Sequence, residues 1–303
     1  MKTQERPTAR PLAGRTQTEQ PAAEARAGRT ASLGLLFGPP SVIFVGLLLL
    51  LPLVALLWRT AESGVFLASI RKPIVVQALK LTGWTSLVTL LLSVALGTPL
   101  AYILARSRFP GKRIIDTLVD LPIVLPPVVA GVGLLMAFGR RGLVGQYVQG
   151  SYTVPGLGLR LPDLSLSFST VAVIIAQLFV SAPFFVRAAR AAFAETDRDV
   201  EDAAALDGAS PLQTFRLVTV PLAIPALSSG LVLCWARAVG EFGATMMFAG
   251  NFIGRTQTMP LAIMGAMESD LYAALALSVV LVILSFAALF AYRLIGARRG
   301  LAL

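Results

Sequence analysis

This sequence predicts an all-α integral membrane protein with six spans, on three observations. First, 56% of its 303 residues are hydrophobic and its mean hydropathy is +0.76. Second, charged residues make up only 14%, against roughly 25% in ordinary soluble domains. Third, the apolar residues gather in runs of about 20, the length a helix needs to cross a hydrocarbon core. The formal charge of +10 invites a nucleic-acid reading. The basic residues, however, sit beside apolar runs, as cytoplasmic anchors do, so no nucleic-acid partner is expected. There is no histidine, and one cysteine, Cys234. A histidine-ligated metal site, a Ser-His-Asp triad and an intrachain disulfide are thereby excluded. No metal and no cofactor is expected.

Taken in order, residues 1–30 are rich in Pro, Arg, Ala, Gln and Thr without apolar periodicity. They read as a disordered tail, and residues 31–303 as the membrane domain. The first apolar run is too long for the core of a signal peptide, so an uncleaved span is expected. Span 1 covers about 35–58, with Pro39, Pro40 and Pro52 as kink points and Trp58 as an interfacial anchor. Span 2 covers about 82–105. Span 3, about 117–138, carries Pro122, Pro126, Pro127, Gly131 and Gly133, with Asp120 as its one charge; it reads as a bent pore-lining helix or an ordinary kinked one. Span 4 is about 169–190, span 5 about 222–240 and span 6 about 271–293. Between spans 5 and 6, residues 241–268 are partly apolar and glycine-rich, so a short re-entrant or surface helix is open there. An outer insertion is expected near 146–168.

Orientation follows from Lys and Arg between the spans. With the tail inside, seventeen of the 26 fall on the cytoplasmic side and eight outside, with Arg237 inside a span. Both termini and residues 191–221 of this multi-pass membrane protein are therefore expected in the cytoplasm.

Residues 194–221 are polar between two apolar spans. Thr196 or Asp197 can cap a helix with acidic residues in its first turn, and Ala203–Leu206 favour helix. Gly208 suits a turn or a close approach by another backbone. Ser210 and Pro211 can start a second helix. By composition alone this is equally a solvated helical hairpin. Farther on, Arg237 and Glu241 are four residues apart, on one helical face. They form either an internal pair that stabilises a turn or a gate pair lining a pathway. No nucleotide-binding loop exists: GRRGLVG at 139–145 lacks the lysine and hydroxyl of a P-loop.

DAAALDGASPLQTFRLVTVP, 202–221, resembles the cytoplasmic loop of ABC-importer permeases, written EAA, three residues, Gly, nine residues, Ile-x-Leu-Pro. Asp202, Ala203 and Ala204 stand at EAA and Gly208 at the glycine, with Ala209 beside it. Val218, Val220 and Pro221 match the end. The segment WARAVGEFGATMMFAGNFIGRTQTMPLAIM, 235–264, resembles molybdate/tungstate permeases, and its GEFG and AGN portions are shared with sulfate/thiosulfate permeases. The resemblance covers roughly 80–295. It implies the type I ABC importer permease fold with a coupling helix between spans 4 and 5. Asp202, Ala203, Ala204, Gly208, Ala209 and Pro221 would meet a separate ATPase, present in two copies. Arg237, Glu241, Phe242, Gly243, Thr245, Asn251, Arg255 and Thr256 would form a gate or pathway. The partners implied are that ATPase, a second copy of the chain, and a periplasmic or lipoprotein oxyanion-binding protein delivering molybdate or tungstate. The chain itself would be no enzyme. The GRTQT portion favours molybdate; a sulfate/thiosulfate permease is the alternative. A secondary transporter would need acidic or histidine relays, of which the spans offer little beyond Asp120 and the Arg237/Glu241 region, and a purely structural membrane protein would need no ATPase partner.

Overall fold

The computed structural model describes residues 20–148 and 166–297, with side chains described over 41–148 and 166–295. Helix α1 (Gln20–Ser63) begins inside the tail expected to lack structure. Ala22, Ala23, Glu24, Ala25 and Ala27 are good helix formers, a preference that its polar composition masks. Residues 1–19 lie outside the described residues, as does most of the expected insertion at 146–168. The chain groups into two compact units, Met1–Ala55 and Leu56–Leu303. In the first unit the described side chains belong to a single apolar helix, with Leu48 and Leu50 exposed.

In the second unit, α2 (Phe66–Ile70) precedes α3 (Pro73–Arg106). Then come α4 (Lys112–Val124), α5 (Pro127–Phe138) and the single turn α6 (Gly145–Val148). Helix α7 (Thr170–Glu195) is followed by α8 (Arg198–Leu206), α9 (Pro211–Thr214), a π-helical turn at Phe215–Thr219, and α10 (Val220–Val239). Helices α11 (Gly243–Ala249), α12 (Met259–Ser269) and α13 (Leu271–Ala297) complete the described chain.

Five described stretches are long and apolar enough to cross a membrane: 41–63, α3, α7, Pro211–Val239 and α13. The expected third span is not one rod. Helices α4 and α5 meet at 118°, because Leu125 and Pro126 are extended and Pro127 opens α5. A proline cannot donate to the preceding turn and forces the residue before it out of helix. Span 5 also departs from its expected start. The second half of the polar loop runs on into α10, so Pro211–Val239 forms 29 helical residues; Pro211 stands in the first turn, where no amide donor is missed, and Pro221 stands just after the π-helical turn.

Packing inverts the pattern of a soluble bundle. Helix α3 turns Trp84, Leu87 and Leu91 outward, while Thr82, Thr85, Ser86, Thr89 and Ser93 are buried. In lipid, apolar surface gives helices no reason to associate, so small and polar side chains make the seam. Thr89 donates to Gln177 Oε1 (3.2 Å) on α7, and Gln177 Nε2 donates to the carbonyl of Ala238 on α10 (3.2 Å). Cys234 Sγ lies 3.5 Å from Ser93 Oγ. Such bonds average about 0.6 kcal/mol each within a bilayer, so together they fix register more than they supply stability. Three apolar clusters complete the core: around Val75, Met259 and Leu277; around Ala130, Phe248 and Val173; and around Phe185, Phe193 and Cys234.

Candidate functional site

The candidate residues fall into two regions, one at each end of α10. At its N-terminal end stands a helical hairpin. Asp197 caps α8, accepting from the amide of Asp199 (3.0 Å). Ser210 caps α9, and the side chain of Gln213 accepts in return from the Ser210 amide (2.8 Å), a complete capping box. Between the caps, Gly208 has φ +92°, and no neighbouring atom lies within 4 Å of where a Cβ would stand. Of the two expected uses of this glycine, the fold therefore shows the left-handed turn; no neighbour among the described residues presses on it. The hairpin exposes apolar side chains: Leu206 is 89% exposed, and Leu212 on α9 and Leu217 in the π-helical turn are open too. Asp202, Ala203, Gly208 and Pro221 are exposed, and Ala204 and Ala209 half-buried.

The base of the hairpin is closed by residues that sequence reasoning passed over. Arg106, the last residue of α3, pairs with Glu201 on α8 (2.8 Å) and donates to the Thr196 carbonyl (3.1 Å). Thr219 donates to the same Glu201 oxygen (2.6 Å). Tyr102, Phe193 and Phe215 pack edge-on or tilted beneath, with Tyr102–Phe215 centroids 4.9 Å apart. The available signal was an arginine ending span 2, one of four basic residues before span 3, and a threonine two residues before Pro221, neither of which has a sequence period to reveal it. Nearby, Arg190 pairs with Asp116 and Arg187 lies 3.6 Å from Asp120, so α4 is held to α7 through charge.

The second region follows α10. Glu241 turns inward and is 1% exposed. One carboxylate oxygen caps α11 by accepting from the Ala244 amide (2.8 Å), and the other lies 3.0 Å from Arg237 Nη2. The expected pair exists, and it is also the N-terminal cap of a short buried helix. Helix α11 packs on α5 at backbone distance. A Cβ on Gly131 would lie 2.8 Å from the Ala244 carbonyl oxygen, and one on Gly243 would lie 2.8 Å from Pro127 Cβ. Where the sequence left a re-entrant or surface helix open, the fold has a short, mostly buried helix packed against α5 and α7. Thr245 is fully buried and its hydroxyl has no hydrogen-bond partner among the described residues. Phe242 is exposed.

Residues 250–258 form a tight loop around one carbonyl. The amides of Arg255, Thr256 and Gln257 all point to the Phe252 oxygen, at 2.9–3.1 Å. The Thr256 hydroxyl accepts from the Phe252 amide (2.9 Å) and donates to the Gly250 carbonyl (3.1 Å). Its single proton is committed to the loop, so Thr256 is not a free donor for an anion. Arg255 is exposed, and its carbonyl receives the Thr170 hydroxyl (2.9 Å). Asn251 is half-buried, its side-chain oxygen without a hydrogen-bond partner among the described residues. The Met259 amide donates to Thr82 on α3 (2.8 Å), locking the start of α12. At the far end of α12, Asp270 accepts from Lys72 and from the Ala273 amide, and the ammonium holds its carboxyl below the ordinary aspartate range. No group of three or more His, Cys, Asp or Glu able to hold a metal exists among the described residues.

A family model described as a binding-protein-dependent transport system inner membrane component matches residues 97–300. The chain is 42% identical over 244 residues to the molybdenum transport system permease protein ModB of Mycobacterium tuberculosis, covering 80% of this chain and 86% of that one. It is 35% identical over 276 residues to the sulfate transport system permease protein CysT of Salmonella typhimurium, covering 90% and 94%. Among solved structures, a bacterial ABC transporter involved in the import of the acidic polysaccharide alginate superposes with a TM-score of 0.65 at 18% identity, covering 91% of this chain and 100% of that chain. That last likeness is one of fold.

Proposed function

The chain belongs to the family of binding-protein-dependent transport system inner membrane components, and from that premise we propose that it is the transmembrane subunit of an ATP-driven importer of molybdate or tungstate. Two copies form the pathway. Each receives one copy of a separate ATPase at its cytoplasmic hairpin, and an extracytoplasmic oxyanion-binding protein delivers the anion from the other side. The subunit has no catalytic residues of its own. Both termini lie in the cytoplasm, in keeping with the basic residues at 106–113 and 187–216.

One observation carries this reading: the hairpin tip. Leu206, Leu212 and Leu217 are exposed on a loop whose helices are capped and charged for water. Several large apolar side chains left exposed on one polar hairpin mark an interaction surface. Ala203 and Ala205 beside them let another backbone come close. ATP binding draws the two ATPases together, the hairpins follow, and the pathway opens outward; hydrolysis resets it. Molybdate rather than sulfate is supported by the higher identity to the molybdenum permease, 42% against 35%. Selectivity rests mainly on the binding protein, because tight binding within a pathway slows release.

The test is reconstitution. The permease is co-purified with its ATPase, placed in proteoliposomes, and supplied with binding protein loaded with molybdate or sulfate. ATP-dependent molybdate uptake that exceeds sulfate uptake is expected. A permease that retains no ATPase, or an assembly that moves sulfate better, defeats the assignment at the corresponding level.

A further inference from the structure

At the foot of the hairpin, three parts of the chain converge on one carboxylate oxygen. Arg106 ends α3, Thr219 ends the π-helical turn below α10, and both donate to Glu201 Oε1, at 2.8 and 2.6 Å. The Arg106 and Glu201 side chains are 11% and 15% exposed, and Thr219 is fully buried. The guanidinium also holds the Thr196 carbonyl, which closes α7. The π turn matters here. A π turn carries one extra residue per turn relative to an α-helix and recurs at functional sites; in this turn it leaves Thr219 bonded to α8 across the hairpin.

We propose that Glu201 is the positioning residue that makes the docking hairpin move as one body with α3 and α10. The second arm of the hairpin is already continuous with α10, through the unbroken stretch Pro211–Val239. The first arm, α8, is not. It is joined to α7 through the extended residues Thr196 and Asp197, and to α9 through the turn at Gly208. Both joints can hinge. Without a tie, a push on the tip would fold α8 against its neighbours instead of displacing the spans. Glu201 supplies that tie from the first half of α8. It is a compact one, since a carboxylate bonded by two donors from different helices is held more firmly than a neutral pair. Glu201 does not itself face the docking surface, which is formed by the exposed Leu206, Leu212 and Leu217.

The role rests on the hairpin being the ATPase dock; the tie itself does not, and two readouts separate them. On the permease alone, hydrogen exchange of the amides in 198–219 is compared for wild type, Glu201→Gln and Thr219→Val. Faster exchange is expected for both, at least about tenfold for Glu201→Gln and less for Thr219→Val, which keeps the Arg106–Glu201 pair. In the full transporter with ATPase and binding protein, anion moved per ATP hydrolysed is expected to fall about fivefold or more for Glu201→Gln, while ATPase co-purification stays within about twofold of wild type. Thr219→Val removes one hydroxyl at constant shape, so it reports even where Glu201→Gln inserts poorly. Unchanged exchange in both variants overturns the tie. Faster exchange with wild-type transport per ATP overturns its role in coupling, as does a loss of complex yield parallel to the loss of transport. A wild-type permease that binds no ATPase overturns the dock, and the coupling role with it, whatever the exchange rates.

Discussion

The two ends of α10 solve opposite problems. At its N-terminal end the chain leaves the membrane and exposes apolar side chains, Leu206, Leu212 and Leu217, on a scaffold capped for water. At its C-terminal end the chain folds back and buries polar ones: Glu241, Thr245, Thr256, Gln257 and Thr258. A surface that must meet another protein needs unpaired apolar area. A segment inserted among spans needs its own caps and hydrogen bonds, because lipid supplies none. The hairpin is therefore sensitive at its tip and the inserted segment in its interior, and substitutions can tell the two apart.

The largest effect is expected at the hairpin turn. Gly208→Trp places a bulky side chain where φ is +92°, a backbone region that disfavours any Cβ by about 1–2 kcal/mol. It also puts an indole between the exposed leucines. Co-purification of the ATPase should fall at least about tenfold, with membrane insertion unchanged as judged by detergent-extracted yield. Normal complex and normal transport would remove the docking assignment. The inserted segment should respond the other way. Gly131→Leu drives a Cβ to within 2.8 Å of the Ala244 carbonyl oxygen and 2.7 Å of Met247 Cβ, overpacking that costs about 1–3 kcal/mol. ATPase co-purification should remain while transport falls about tenfold. Loss of both together would mean that the two ends are not separable.

A smaller effect is expected at Arg255, exposed at the rim of the inserted segment. Arg255→Ala should reduce molybdate uptake roughly threefold without changing the molybdate-to-sulfate ratio. Gain of sulfate uptake with an unchanged binding protein would make Arg255 a selectivity element. The smallest effect concerns pH. The Asp270 carboxyl is held below its ordinary value by Lys72. A depressed folded-state value stabilises the fold above the unfolded value and loses that contribution as pH falls through the folded one. Thermal stability of the wild type and of Asp270→Asn should thus differ by a constant amount from pH 6 to 8 and converge only below about pH 4. Convergence near neutrality would rule out the pair as the cause.

Much of this architecture was legible in the sequence. Apolar runs of membrane length mark the spans, and Asp197, Ser210 and Pro211 mark the hairpin ends, because capping chemistry acts over a few residues. The register from Asp202 through Gly208 to Pro221 locates the loop, and the four-residue interval of Arg237 and Glu241 locates a pair that the fold makes. What escaped was non-local. Arg106 and Glu201 are far apart in the chain, and no periodicity links them. Thr89, Gln177 and Ser93 look like interruptions in apolar helices until the packing shows them facing neighbouring helices. The prolines of span 3 announce a bend, but its angle depends on what α5 packs against, and that partner, α11, lies more than a hundred residues downstream.

The near-contact of Gly131 with Ala244 has a mechanical meaning. Helices α5 and α11 are both short, 12 and 7 residues, and neither crosses the membrane by itself. Their ends are already interrupted, at Pro126 for one and at Gly240 and Gly250 for the other. Opening a continuous helix at that depth would strand amides and carbonyls in hydrocarbon, at several kcal/mol each. Sliding one half-length helix off another separates only van der Waals contacts of about 0.1–0.2 kcal/mol per atom pair. Two half-length helices packed in this way, drawn from distant parts of the chain, can shift against one another with every backbone hydrogen bond intact.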